Sequence, residues 1–305
     1  LHPVAHSFPT RRSSDLLDQL APGKYRKLYD RFDEIRKQIS QHMRPVTVSR
    51  GQEAILAFED IDKTRVDDVG SKMAFLGEMK RNPIGDVRIP EGFVITVEAY
   101  NQFMEFNDLQ TEINRCIQAA DSHRIDELYR LSAHIQLLVS MTAKMPKKLE
   151  IAIFRHYDHL KRKTSREVNV AVRSSAYSED VKGLSFAGQY RSELNVRPEN
   201  ISQAYKNVVA SKYSLQAMNY RFNRGLRDED IPMSVGCMAM IDAVSGGVAY
   251  SRNPVNIRDN SLIVHSAWGL PKSVVNGTGP ADRFGISRET VLSIKWRHIS
   301  FKARE

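Results

Sequence analysis

Apolar residues recur every three or four positions from Tyr25 to Met43, at Tyr25, Leu28, Tyr29, Phe32, Ile35, Ile39 and Met43. That spacing lays them on one helix face and leaves the charged residues on the other. Pro22-Gly23 and Pro45 bound the run, so residues 17–50 are expected to be a helical upstream segment whose stripe needs a partner. A short strand is expected at Ala54–Phe58, then a turn at Gly70 before an amphipathic helix from Met73 to Met79. Ile89–Thr96 reads as a turn entering a strand. From 97 to 162 the period is helical, carried by Tyr100, Phe103, Ile113, Ile117, Leu128, Leu131 and Ile135, with Pro146 separating the later helices. This stretch reads as a packing layer without chemistry. After Ser165 the texture changes. Val168–Arg173 is β-branched and strand-like, a helix is expected over Ile201–Arg221, and strands over Met233–Ala243, Gly246–Ser251 and Ser261–Ser266.

Composition narrows the class. Hydrophobic residues are 41% and charged residues 27% of 305, a globular balance with material for one large or two modest domains. No apolar run approaches a membrane span, so no membrane partner is expected. The net charge is +9, but the basic residues are dispersed. The densest cluster, His159–Arg166, lacks interleaved aromatics and reads as a solvated loop, so nucleic acid is not an expected partner. Cys116 and Cys237 form no C-x-x-C pair; they read as buried, reduced thiols of a cytoplasmic protein, with no zinc spacing and no metal ligands assigned. His265, in an apolar strand, reads as a hydrogen-bonded core residue. His6–Leu16 spells HSFPTRRSSDL, one-frame translation of a common sequencing adapter. Residues 1–16 are therefore set aside as an artefact, and the chain is expected to be a fragment.

Three segments could carry chemistry. Gly70-Ser-Lys72 places an ammonium and backbone N–H groups at a helix start, which suits phosphate, although the Walker spacing is absent and, taken alone, an ordinary surface lysine is the better reading. Ala171–Asp180 delivers Arg173 from a buried strand into a run of small hydroxyl residues. Arginine is a bidentate partner for phosphate oxygens, and an ion pair to Glu179 or Asp180 is an equally good reading of the residues alone. Trp268–Gly277 with Asp282–Phe284 suggests tight turns beside a strand. No catalytic triad, H-E-x-x-H or paired-carboxylate signature is present.

Together these segments resemble the N-terminal ATP-binding domain of the phosphoenolpyruvate synthase and pyruvate phosphate dikinase family. The family pattern V-G-G-K-x-A-x-L-G-E-M stands at Val69–Met79, and P-x-G-F-x-x-T at Pro90–Thr96. A-V-R-S-S-A-x-x-E-D stands at Ala171–Asp180, S-F-A-G-Q at Ser185–Gln189 and L-N-V at Leu194–Val196. Gly246–Ser251 and Trp268–Phe284 match the later patterns, so the resemblance covers about 52–290 in order. It implies an α+β, ATP-grasp-like, two-lobed nucleotide-binding fold, truncated at the C-terminus. A first lobe would span 51–232, with the helical insert at 97–162, and an incomplete second lobe 233–305. By matched motif, Lys72 and Arg173 would contact the ATP phosphates, and Ser185, Phe186, Ala187, Gly188 and Gln189 would form the loop over them. The family moves a phosphoryl group from ATP to a histidine on a swivelling domain and then to pyruvate. That domain, the pyruvate-binding domain and the Mg2+ ligands are expected beyond residue 305, leaving no catalytic residue within this chain. Departures occur at Ser71 for glycine, Met238 for glutamine, Pro271-Lys272 for Gly-Glu, and Ala281 for proline. They keep two alternatives open, a degenerate nucleotide sensor in a regulatory protein and a dikinase-like enzyme with another acceptor, such as an antibiotic or a glucan. The oligomeric state is not legible.

Overall fold

The computed structural model describes residues 31, 51–120, 124–176, 190–224, 226–256, 258–288 and 293–300. The expected upstream helix therefore lies outside the described residues except for Arg31, as do the adapter-like residues and Ser185–Gln189. The architecture is α+β, built on two antiparallel sheets.

The first sheet has the order β1-β2-β5-β3-β4, from β1 (Ile55–Ala57), β2 (Gly92–Ile95), β3 (Val170–Ala176), β4 (Ser192–Val196) and β5 (Met233–Ala239). One row runs Leu56, Val94, Gly236, Arg173, Ser192 across all five strands; the next runs Ala57, Phe93, Cys237, Val172, Glu193. Side chains of neighbouring rows leave opposite faces. Phe93, Cys237 and Val172 point into the main core, whereas Leu56 and Val94 join a smaller core with Phe58, Ile61, Val69, Met73 and Ala74. The smaller core is the underside of α1 (Val66–Arg81).

The main core lies beneath the helical layer: α2 (Val97–Phe106), α3 (Leu109–Ala119), α4 (Ile125–Leu137), α5 (Lys147–Thr164), α6 (Ile201–Ala210) and α7 (Leu215–Asn223). Thr96 caps α2, its side chain accepting from Ala99 N–H at 3.4 Å. The period-based expectation of helices between 97 and 162 holds. Two local readings are corrected. The basic cluster at 159–166 is not a loop: it forms the last turns of α5, where Lys161, Arg162 and Lys163 face the negative end of the helix dipole before Ser165 caps it at φ 55°. The helix expected over Ile201–Arg221 is two helices, broken at Ser211–Tyr213 where Lys212 turns inward, and restarted by Ser214 accepting from Ala217 N–H.

The second sheet is a meander of β6 (Ser245–Tyr250), β7 (Leu262–Trp268), β8 (Asp282–Ile286) and β9 (Ile294–His298), with the short α8 (Lys272–Asn276) after β7. Strands β8 and β9 had no clear apolar alternation, and β9 is exposed along its length. His265 is half-buried rather than core; it packs edge-on against Tyr250, its ring centroid 5.7 Å away, and burial with Arg283 opposite lowers its pKa. The sequence division opened the second lobe at 233, but β5 is the central strand of the first sheet. The sheets part between Ala239 and Ser245. A strand buried on both faces carries no mark of which sheet owns it.

Candidate functional site

The site is assembled where α1 bends. Gly70 has φ 72° and ψ 161°, a break inside α1 that turns the segment from Ser71 onward towards β3. A Cβ at Gly70 would stand 2.3 Å from the Ser175 carbonyl oxygen, so only glycine lets the two backbones approach. Met73 N–H, in the first turn after the bend, donates to Ser175 Oγ at 3.3 Å. Ser175 is held in turn, its carbonyl accepting from Ser234 Oγ at 2.5 Å. Two residues along the ladder, on the same face, a Cβ at Gly236 would meet the Met73 sulfur at 2.2 Å, so the Met73 thioether lies directly on Gly236. Gly236 is the cross-strand partner of Arg173. The turn that carries Lys72 and the strand position that carries Arg173 therefore share one face of the first sheet.

Arg173 is the one exposed residue of β3; its other six residues are buried. Its side chain makes no hydrogen bond or ion pair to any described residue. The alternative partners Glu179 and Asp180, and the expected phosphate loop Ser185–Gln189, lie outside the described residues. Lys72 is half-buried beside the buried Ser71 and Met73. Behind the bend, buried Asp68 accepts from Gly51 N–H at 2.9 Å and pairs with Arg65 at 3.1 Å, fixing the approach to β1.

A cavity of about 510 Å³ opens at the junction of the sheets, between Val168-Asn169, Asn195, Met240–Ala243 and Gly269. Met240 N–H donates to Asn169 O at 2.9 Å, and Gly269 N–H to Val244 O at 2.8 Å, so backbone bonds shape its walls. Met238, where the resemblance has glutamine, is half-buried and packs against the smaller core. Trp268 stands exposed at the end of β7, and Lys272 opens α8.

A second charged constellation was invisible in the sequence. Lys212 is fully buried; Nζ donates to Tyr100 OH and to Asp228 O, both at 2.9 Å. Asp228 Oδ2 accepts from Tyr213 OH at 2.9 Å and from Gln110 Nε2 at 3.3 Å. Oδ1 accepts no well-directed hydrogen bond but lies 3.1 Å from Lys212 Nζ and 3.6 Å from Arg221 Nη2, an ion pair held by charge rather than direction. Burial pushes Lys212 down to about 8 against the pull of Asp228. Burial also works against the Asp228 carboxylate, yet Lys212 and Arg221 outweigh it and hold its pKa below the usual range. The network ties α2, α3, α7 and the 211–213 turn together. Each charge is answered inside the fold, which marks it as structural. No pattern of spacing finds it, because its members are separated by up to 128 positions, from Tyr100 to Asp228.

Residues 66–305 match the family described as pyruvate phosphate dikinase, AMP/ATP-binding domain. The chain belongs to that family. Within it, the chain is 35% identical over 240 residues to the phosphoenolpyruvate synthase of Helicobacter pylori, covering 77% of this chain and 29% of the relative. It is 33% identical over 243 residues to the Escherichia coli phosphoenolpyruvate synthase, covering 78% and 30%. It is 31% identical over 246 residues to a probable phosphoenolpyruvate synthase of Methanocaldococcus jannaschii, covering 80% and 20%. The chain thus spans a fifth to three tenths of the length of these relatives. The family match begins at Val66, the first residue of α1, and so includes the Gly70 bend and β3. No helix among the described residues is long and apolar enough to cross a membrane.

Proposed function

We propose that this chain is the ATP-binding part of a phosphoenolpyruvate synthase-like phosphotransferase, with an ATP-grasp arrangement in which the two sheets hold the nucleotide between them. The observation that carries the reading is the contact of the Gly70 bend with Ser175 and Gly236, which sets Lys72 and Arg173 on one sheet face. Phosphoryl transfer asks the protein for positioned cations around the moving group more than for covalent help. An ammonium beside a helix start and a guanidinium on the adjoining strand meet that need. Ser185–Gln189 would close over the phosphates. The cavity at the sheet junction would take the base: Asn169 on its wall is four strand residues from Arg173, about 13 Å. Mg2+ ligands, the phosphorylated histidine and the pyruvate site would belong to parts of the longer protein that its relatives possess, and two separate buried thiols suit a cytoplasmic setting.

Calorimetry of the chain with ATP and Mg2+ tests this. Arg173→Ala and Lys72→Ala should each weaken binding by about 10-fold or more, the loss of one charge-assisted hydrogen bond. Affinity equal to the parent in both variants removes the phosphate assignment. The second reading, a degenerate nucleotide sensor, draws on the half-buried Met238, where the family pattern has glutamine, and on Lys272, where it has a carboxylate. Nucleotide binding by a full-length protein that never forms phosphohistidine would favour it.

A further inference from the structure

We propose that Glu112, Cys116 and His134 form a binding site for a thiophilic divalent cation of the zinc class at the edge of the helical layer, away from the nucleotide face. Glu112 and Cys116 are four residues apart on α3, which stacks them on one face one turn apart. His134 comes from the last turns of α4, the helix packed against α3. A carboxylate oxygen, the sulfur and a ring nitrogen of these three residues all lie within 4.8 Å of one another. The Cys116 sulfur is 3.7 Å from Glu112 Oε1. Two ligands of one tetrahedral zinc, at about 2.3 Å for sulfur and about 2.1 Å for oxygen, stand roughly 3.6 Å apart. The glutamate and the cysteine are thus already at ligand spacing, and the exposed His134 closes the third corner by a side-chain rotation.

The donor set decides the class of ion. Thiolate, imidazole and carboxylate with a fourth position left to water make an open zinc-type site, and the sulfur discriminates against Mg2+. The site is accordingly independent of any metal that accompanies a nucleotide. Cys116 is 9% exposed, its sulfur set at the rim of the core, while His134 faces solvent and leaves an entry path. Glu112 is engaged by Arg115 through Nε at 2.8 Å and Nη2 at 2.5 Å. The Arg115 side chain is 67% exposed, so it can withdraw into water while the cation takes over as counter-charge. On binding, the Cys116 thiol loses its proton to solvent and the sulfur gains the metal bond. The bound ion would add a polar bridge from α3 to α4, whereas the Glu112–Arg115 pair and the Cys116 contact to Glu112 both lie within α3. Sequence spacing did not show this site, because its third ligand comes from a second helix.

The test is a titration of the full chain with Co2+ as spectroscopic probe, followed by competition with Zn2+ and by thermal melts with and without Zn2+. One Co2+ per chain should give a thiolate-to-cobalt charge-transfer band, Zn2+ should displace it, and millimolar Mg2+ should leave it unchanged. Cys116→Ser should abolish the band. Glu112→Gln and His134→Ala, both at solvent-accessible positions, should each weaken binding at least about 10-fold, with circular dichroism confirming that they remain folded. Zn2+ should raise the melting temperature of the parent and not of Cys116→Ser. Absence of the sulfur band, or parental affinity in His134→Ala, overturns the proposal.

Discussion

Substituting Gly70 with alanine is the sharpest perturbation of the site. At φ 72° and ψ 161° the residue occupies a region that is nearly exclusive to glycine, and an L-residue there costs about 1–3 kcal/mol. The new Cβ would also stand 2.3 Å from the Ser175 carbonyl oxygen and 2.4 Å from its Oγ. The carbonyl is backbone in a central strand and cannot rotate away, so α1 has to retreat. Retreat breaks the Met73 N–H bond to Ser175 Oγ, worth about 1 kcal/mol. It also lifts the Met73 thioether off Gly236, for about 1 kcal/mol more of lost packing. The sum is roughly 3–5 kcal/mol, a large fraction of the 5–15 kcal/mol of a typical domain. Gly85→Ala supplies the control: Gly85 also has positive φ, at 54°, but nothing lies within 4 Å of its would-be Cβ. That variant should lose only about 1 kcal/mol, the left-handed backbone term. Urea unfolding followed by far-ultraviolet circular dichroism reads both. If Gly70→Ala loses no more than Gly85→Ala, the bend does not press on β3, and the shared face on which the nucleotide proposal stands does not exist.

The remaining expectations concern charge and packing. Arg173→Lys keeps the charge but loses the planar fork, so its ATP affinity in calorimetry should fall between those of the parent and Arg173→Ala. Lys212→Met leaves the buried Asp228 carboxylate with Arg221, at 3.6 Å, as its one cationic partner among the described residues, and should cost about 3–5 kcal/mol in denaturant unfolding. The double variant Lys212→Met, Asp228→Leu should recover part of that loss. Lys212 titrates near 8 in the fold and near 10.5 when unfolded, so the unfolded chain binds more protons between these values. Its contribution to stability should therefore rise with pH across that window, by roughly 1–3 kcal/mol, and the parent-minus-Lys212→Met difference measured from pH 8 to 10 should show it. Gly236→Val drives a side chain into Met73 and should destabilise by about 1–3 kcal/mol while weakening ATP binding.

Most of the scaffold could be read from the sequence, for reasons of period. Helices α2 to α5 follow the spacing of Tyr100, Phe103, Ile113, Leu128, Leu131 and Ile153, all of which are buried. Strand β3 announces itself by the β-branched residues around Arg173. What escaped detection depends on contacts between distant positions. The break at Ser211–Tyr213 interrupts a run whose apolar spacing is compatible with one helix, because a buried lysine there finds its partners at positions 100 and 228. Strand β9 has all five residues exposed, so no alternation marks it. At the site, Lys72 and Arg173 were nameable from motif, and Gly70 from its turn. The role of Gly236, which leaves room for Met73 beside Arg173, is not visible along the chain. A glycine in a buried strand reads only as a weak strand position until its cross-strand partner is known.

The two charged constellations separate structure from proposed function by a single physical criterion. In the Lys212 network every desolvated charge faces another: the ammonium has Tyr100, the Asp228 carbonyl and the Asp228 carboxylate around it, and the carboxylate has Tyr213 and Gln110 besides. Such a system lowers its own energy and needs nothing from outside, so it anchors helices. Arg173 is placed the opposite way. Three buried residues precede it and three follow it on β3, and its partner across the ladder is a glycine. A strand position that could have held a further core residue instead presents a guanidinium to solvent, with no described side chain to receive it. Exposure leaves that charge compensated by hydration. A triphosphate would replace the hydration with bidentate contacts, gaining affinity because the strand already fixes the guanidinium's base. The proposed nucleotide contact therefore depends on no carboxylate of the protein pairing with Arg173. A carboxylate engineered beside it, Ser192→Glu on the neighbouring position of β4, should lower ATP affinity without lowering stability. Unchanged affinity in that variant would show that Arg173 is not where the phosphates sit.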